Sequence, residues 1–408
     1  MEHMQKDAIA LLHENESFMV EQLLEFCGIN SGTDNLDGLK NIHQRLSHAF
    51  KPIADDIQIL QARTITMLDM AGNTIIQSCG DSLYIRKRPE LKRRVLLSGH
   101  MDTVYGAHHP FQKLTYINKN QINGPGVADM KGGLIVMLHA LTAFEKTAAA
   151  SKLGWDVFIN ADEEIGSPAS SHLFRDIATR CQTALVYEPA MNATGTLAKN
   201  RKGSGKLTLV ATGRAAHAGR AFDEGRNAIC YLAKIITQID ALNGKKEGVT
   251  INVGIIAGGH ALNVVPDKAV VKLDIRITQA QDEHWVRQEL ETIRRNTEEK
   301  DYHLTIHGGF ERPVKKINKP TEDLFDRIQK LGHTLGIKLD WQDSGGCCDG
   351  NNFNAQGLPV LDTLGVRGGD IHSENEFILL DSLVERASLS TLLLHDLAQG
   401  GLEKLGQS

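Results

Sequence analysis

Three apolar runs in the first half of the chain stop on residues that bind metal ions. Arg94-Val95-Leu96-Leu97-Ser98 leads into His100, and Trp155-Asp156-Val157-Phe158-Ile159-Asn160 leads into Glu163 and Glu164. Thr183-Ala184-Leu185-Val186-Tyr187 leads into Glu188. Runs of this length, separated by helix-spaced stretches such as residues 132–144, are buried strands of a β-α-β pattern. Such strands pair in parallel under a cover of helices. Ligands then bind outside the carboxyl ends of the strands. The pattern predicts an α/β fold with a mainly parallel sheet that gathers His100, Glu163, Glu164 and Glu188 at one edge.

The middle of the chain is patterned differently. Residues 206–212, 249–256, 269–277 and 302–307 read as strands, and 227–242 and 281–298 as amphipathic helices. The order β-α-β-β-α-β is that of a split βαβ sandwich. Along 269–277, Val271, Leu273, Ile275 and Ile277 share one face, and Lys272, Asp274 and Arg276 share the other. A chain of 408 residues is also too long for one ordinary core. The expected layout is a catalytic domain of residues 1–201 and 312–408, interrupted by an inserted α+β domain at 202–311. Beyond the insertion, 321–335 reads as a helix, 359–364 as a strand and 380–398 as a closing helix.

A net charge of -5 argues against nucleic acid or an anionic membrane surface as partner. Six cysteines in so long a chain do not form a disulfide framework, which points to a reduced, cytoplasmic protein. The adjacent Cys347-Cys348 read as small thiols in a loop. The opening Met1-Glu2-His3-Met4-Gln5-Lys6-Asp7 has no leader pattern. No apolar run is expected to reach the roughly 18 residues that cross a bilayer.

The chelating residues form a set. His100 and Asp102 stand two apart, so on an extended strand the carboxylate can reach one ring nitrogen and leave the other for metal. Asp129 lies between Gly124-Pro125-Gly126 and Lys131-Gly132-Gly133, where a carboxylate can bridge two cations. Asp162-Glu163-Glu164 puts three acids directly after an apolar strand. Neighbouring carboxylates repel unless a cation holds one, which leaves the other to act as general base. Glu188 before Pro189, and His372 in Gly369-Asp370-Ile371-His372-Ser373, complete the set. Each piece alone has a plain reading, as a chance pair, a helix cap or a solvated acidic loop. Together they supply imidazoles and carboxylates without paired cysteines, which suits a hydrolytic two-metal centre better than a structural zinc site.

The motifs carry a resemblance as well. Gly99-His100-Met101-Asp102-Thr103-Val104, the stretch from Gly124 to Gly133, Asp162-Glu163-Glu164-Ile165-Gly166-Ser167, Glu188-Pro189, Arg214-Ala215-Ala216-His217-Ala218-Gly219 and His372 follow in order over nearly the whole chain. In this it resembles the zinc metallopeptidases that include glutamate carboxypeptidase, aminoacylase, acetylornithine deacetylase and succinyl-diaminopimelate desuccinylase. The folate-hydrolysing bacterial glutamate carboxypeptidases are the branch it looks most like.

The resemblance implies two zinc ions per subunit, with cobalt or manganese as substitutes. His100, Asp129 and Glu188 would hold one ion, and Asp129, Glu164 and His372 the other. Glu163 would be the general base, and Asp102 would orient His100. A cis peptide is expected at Asp129-Met130. The inserted domain would be a lid and the interface of a homodimer. His217 would stabilise the oxyanion, from its own subunit or its partner's. Asn263 would contact substrate, Arg276 would bind a terminal carboxylate, and Gly345 and Gly346 would line the pocket with backbone. The adjacent cysteines that follow are an unusual feature of that loop.

The implied substrate is a small or peptide-like compound with a free carboxylate, cleaved at a peptide or N-acyl amide bond to release an amino acid. The alternatives within this chemistry are an N-acyl amino acid deacylase and a dipeptidase. Outside it stands a silent metal-binding scaffold, against which the presence of both Glu163 and His217 argues.

Overall fold

In the computed structural model, which describes residues 3–407, the chain divides into two compact units. The first comprises Met1–Arg63, Ser78–Asn200 and Lys315–Ser408, and the second Thr64–Gln77 and Arg201–Val314. The second thus takes in a hairpin, Ile65–Leu68 against Thr74–Gln77, that the expected boundaries left in the first. In chain order the main strands are β1 (Asp56–Leu60), β2 (Ser82–Lys87), β3 (Arg94–His100), β4 (Gly154–Asn160), β5 (Ala184–Val186), β6 (Gly203–Thr212), β7 (Thr250–Gly258), β8 (Lys268–Ile277), β9 (His303–Arg312) and β10 (Val360–Leu361). The helices used below are α1 (His3–Glu14), α2 (Glu16–Cys27), α3 (Leu36–Phe50), α4 (Gly133–Phe144), α5 (Ala228–Asp240), α6 (Asp282–Asn296), α7 (Lys319–Thr334), α8 (Asp349–Ala355) and α9 (Asp381–Asp396).

The first unit is built on a six-stranded sheet in the order β1-β2-β4-β3-β5-β10. β4, β3, β5 and β10 run parallel, and β1 and β2 add an antiparallel edge. Every residue of β3 and β4 is buried. Their side chains alternate between two cores. Val95, Leu97, Val157 and Ile159 face a large cluster containing Leu12, Met19, Ile135, Leu138 and Leu393. Leu96 and Phe158 face a smaller one with Phe174, Phe353 and Val360. Helices on both faces explain why these strands read as continuous apolar runs. Each such side chain contributes about 1.5–3 kcal/mol by leaving water.

One polar group breaks that second core. Asp156 of β4, fully buried, pairs with Arg94 of β3 and accepts from the Tyr84 hydroxyl of β2. Arg94 also donates to the carbonyls of Trp155 at 3.1 Å and Lys87 at 3.3 Å. The ion pair therefore stitches three strands together.

The expectation about apolar length needs correction. Val127–Phe144 is long and apolar enough, by composition, to cross a membrane, but 94% of it is buried inside the fold. Its helical part, α4, is the core helix of this unit, packed between α1, α2 and α9, and the residues before it form the turn that carries Asp129. A helix hydrophobic all round is one buried all round.

The second unit has an antiparallel sheet in the order β7-β8-β6-β9, with α5 and α6 on one face. Val271, Leu273, Ile275 and Ile277 of β8 are buried against the helices, while Lys272, Asp274 and Arg276 are half-buried on the other face. The connectivity is that of the split βαβ sandwich.

Candidate metal centre

The parallel register brings the chelating residues together. His100, the last residue of β3, stands opposite Asn160, the last of β4, and β5 lies alongside. The segments that leave these three strands carry Asp102, Glu163 with Glu164, and Glu188.

Asp129 comes to the same edge on a tight turn. Gly126 has a φ of 70°, a left-handed conformation that favours glycine. The peptide Asp129-Met130 is cis. Gly133 then starts α4 against the end of β5, where a Cβ would stand 2.0 Å from the Tyr187 carbonyl oxygen. Only glycine allows helix and strand to approach that closely, so Asp129 and Glu188 come within reach of one imidazole.

The ring of His100 is the centre of the group. Its Nε2 lies 3.0 Å from Asp129 and 3.8 Å from Glu188. Its Nδ1 lies 3.0 Å from the Asp102 carbonyl and 3.3 Å from the Asp102 carboxylate. Nδ1–H thus has acceptors of its own, which leaves the Nε2 lone pair for a cation. On the other side, His372 Nε2 lies 3.2 Å from both Asp129 and Glu164. Asp129 therefore stands between two imidazoles. Two triads, His100 with Glu163 and Glu188, and His100 with Asp129 and Glu164, keep their ligand atoms within 4.8 Å of one another.

The electrostatics call for positive charge. Burial first, and then the neighbouring Asp129, pushes the Glu164 carboxyl up to about 8. Hydrogen bonds to Asp129 and Glu164 push the His372 imidazolium up to about 11. Burial works against a charged His100, yet its hydrogen bonds to the Asp102 and Asp129 carboxylates outweigh it and raise its pKa. Glu164 Oε1 is buried with no hydrogen-bond partner. Such an orphaned acceptor costs about 1–3 kcal/mol unless something positive meets it. A set of oxygen and imidazole donors around an unmet acceptor fits divalent cations of the zinc, manganese or cobalt kind.

Asp102 does more than the sequence reading assigned to it. Its carboxylate accepts from the amides of Glu163 and Glu164, both at 3.2 Å, and from the Thr33 hydroxyl at 2.8 Å. It orients His100 and fixes the acidic turn in one stroke. Thr33 was missed by the sequence reading, because a threonine in Ser31-Gly32-Thr33-Asp34 has no spacing signal. Asp162, also buried, accepts from the Ala169 and Ser170 amides and the Ser170 hydroxyl, which closes the loop carrying Glu163 and Glu164.

The remaining candidates are not part of this cluster. Gly345 and Gly346 lie in an exposed turn ahead of α8 in the first unit. His217, Asn263 and Arg276 belong to the second unit. His217 is exposed on a short strand paired with Val264, and its Nδ1 accepts from the Gly219 amide at 3.1 Å. Asn263 is exposed, and its carbonyl accepts from the Ala218 amide. Arg276 makes a two-pronged pair with Asp274, at 2.7 and 3.1 Å.

A family model described as peptidase family M20/M25/M40 matches residues 96–396. The chain is 25% identical over 398 residues to carboxypeptidase G2 of a Pseudomonas species, covering 95% of this chain and 91% of that protein. It is 27% identical over 343 residues to a succinyl-diaminopimelate desuccinylase of Nitrosospira multiformis, covering 78% and 87%. An M20 family metallo-carboxypeptidase from Sulfolobus solfataricus has a similar structure, with a TM-score of 0.72 at 17% identity over 93% of this chain and 99% of that one. With a match over most of its length, the chain belongs to peptidase family M20/M25/M40 and is a metal-dependent hydrolase.

Proposed function

We propose that the protein is a di-zinc exopeptidase of the carboxypeptidase kind, which cleaves a peptide or N-acyl amide bond and releases an amino acid from a substrate with a free carboxylate. The observation that carries this reading is Asp129 set between His100 and His372, with Glu188 and Glu164 on either side. His100, Asp129 and Glu188 would hold one ion, and Asp129, Glu164 and His372 the other. When bound, two such ions acidify water and withdraw charge from a carbonyl oxygen.

The chain's own residues do the rest. Glu163 takes a proton from water as the water oxygen bonds to the scissile carbonyl carbon. As the C–N bond breaks, Glu163 returns that proton to the leaving nitrogen. Asp102 keeps Glu163 in place through its amide. For the second unit the reading rests on the resemblance, with local support. His217 accepts at Nδ1, so its neutral ring carries the proton on Nε2 and can donate to an oxyanion. Asp274 fixes the orientation of the Arg276 guanidinium, which would bind a substrate carboxylate, and Asn263 is exposed for substrate. Gly345 and Gly346 would offer backbone to it. Glu188 rather than aspartate favours the carboxypeptidase and deacylase branches over aminopeptidases. Six free cysteines suit a reducing, cytoplasmic setting.

Amino-acid release from a mixed panel tests the reading. Zinc-reconstituted protein is expected to act on folate-type and N-acyl glutamates or other blocked amino acids. Release only from free dipeptides would move it to the dipeptidase branch. Full activity after exhaustive chelation would remove the metal mechanism.

The second unit would serve as lid and dimer interface. Its edge strand β7 exposes Ile255 and Ile256, at 53% and 54%, an apolar edge that a second copy could cover. Light scattering at micromolar protein should give the mass of a dimer; a monomer mass would end this part of the proposal.

A further inference from the structure

Glu376 is fully buried and lies outside the chelating set. Its Oε1 accepts from the Ala128 amide at 2.9 Å and the Asp129 amide at 3.0 Å. Its Oε2 accepts from the Gly126 amide at 3.3 Å and lies 2.9 Å from the Tyr105 hydroxyl. Its backbone carbonyl accepts from the Gly124 amide at 3.1 Å and from Asn123 Nδ2 at 2.8 Å. One residue thus grips the whole turn that presents Asp129.

The same residue closes the loop that presents His372. His372 has a φ of 61° and Asp370 one of 54°, left-handed conformations that are strained for a non-glycine residue. Something must hold that loop. The Glu376 amide donates to the Ser373 carbonyl at 3.1 Å, and the Tyr105 hydroxyl lies 2.8 Å from the same carbonyl. Tyr105 is itself buried and packs edge-on against Phe111 and His109. Directly after Glu376, Phe377–Leu379 pairs with Gln121–Asn123, the strand that leads into the Asp129 turn. The two ligand loops are therefore pinned to each other at one carboxylate and one phenol.

We propose that Glu376, assisted by Tyr105, is a positioning residue that sets the separation of Asp129 and His372, and so the affinity for the ion they would share. This rests on the two-ion reading above. The chemistry explains why a carboxylate is needed. Both of its oxygens accept, one from Ala128 and Asp129 and the other from Gly126. A glutamine of the same shape would turn an NH2 group toward backbone amides on one side or the other. The turn would have to move to relieve that contact.

The test compares metal-free parent, Glu376→Gln and Tyr105→Phe, titrated with zinc against a competing chelator, with the thermal midpoint of each metal-free protein alongside. Removing a partner of a ligand typically weakens metal binding about 10–100-fold, so the constant of the ion that His372 would hold should rise about tenfold or more, and by more than that of the other ion, which shares Asp129 alone. Tyr105→Phe should move the same constant by less. If Glu376→Gln does not fold, Tyr105→Phe decides. Two constants unchanged in a folded variant would overturn the proposal, and so would two that rise by the same factor, which would mark general loosening. A parent that takes up no zinc would instead remove the metal reading, and this inference with it.

Discussion

Replacing Glu163 by glutamine is expected to lower kcat by about 10²–10⁴-fold, the usual contribution of a positioned acid–base group. Glutamine keeps the shape but cannot carry a proton from water to the leaving nitrogen. The turn should stay in place, because Asp102 holds it through the Glu163 and Glu164 amides rather than through the Glu163 side chain. KM should change little, as expected when an interaction made only in the transition state is lost. Metal analysis separates the two tasks open to this residue. Glu163 lies within ligand reach of His100 and Glu188. Zinc content unchanged with activity lost identifies a base; zinc lost together with activity identifies a ligand. Activity retained within tenfold would refute both.

The second large effect is on stability. Asp156→Ala leaves Arg94 buried and unpaired, which in comparable sites costs about 3–5 kcal/mol. That is a sizeable part of the roughly 5–15 kcal/mol that holds a typical domain together. The Tyr84 hydroxyl loses its acceptor as well. Asp156→Asn should cost less, since its amide oxygen can still accept from Arg94 or Tyr84. Chemical denaturation of the metal-free protein reads both, in the transition of the first unit. A midpoint for Asp156→Ala equal to that of the parent would show that the ion pair contributes nothing to the sheet.

The residues legible in the sequence are those whose position follows from the strand pattern. His100, Glu163, Glu164 and Glu188 directly follow apolar runs, and a parallel sheet can only bring such ends together. Asp129 was marked by its glycines. His372 was not marked in this way: its loop does not directly follow an apolar run, so it was weak alone and counted only together with the rest of the set. Thr33, Tyr105 and Glu376 left no trace. Glu376 sits in Ser373-Glu374-Asn375-Glu376-Phe377, which reads as a solvated acidic turn, yet it is buried by contacts with amides far away in sequence. The helices α1, α2 and α3 went unread because they have no motif. The core helix misled the length argument, since burial on all sides and insertion in a membrane ask for the same composition.

The first unit is assembled from separated stretches of chain, and this has a consequence for the order of events during synthesis. A ribosome that has just finished the second unit has already delivered His100, Asp129, Glu163, Glu164 and Glu188. It has not yet made β10, α9, His372 or Glu376. At that moment the acids are present with one imidazole instead of two, the last parallel strand is missing, and nothing clamps the Asp129 turn. A nascent chain therefore offers ions a half-built, acid-rich cluster until its final segment folds back, and loading of the proposed pair would have to wait for that return.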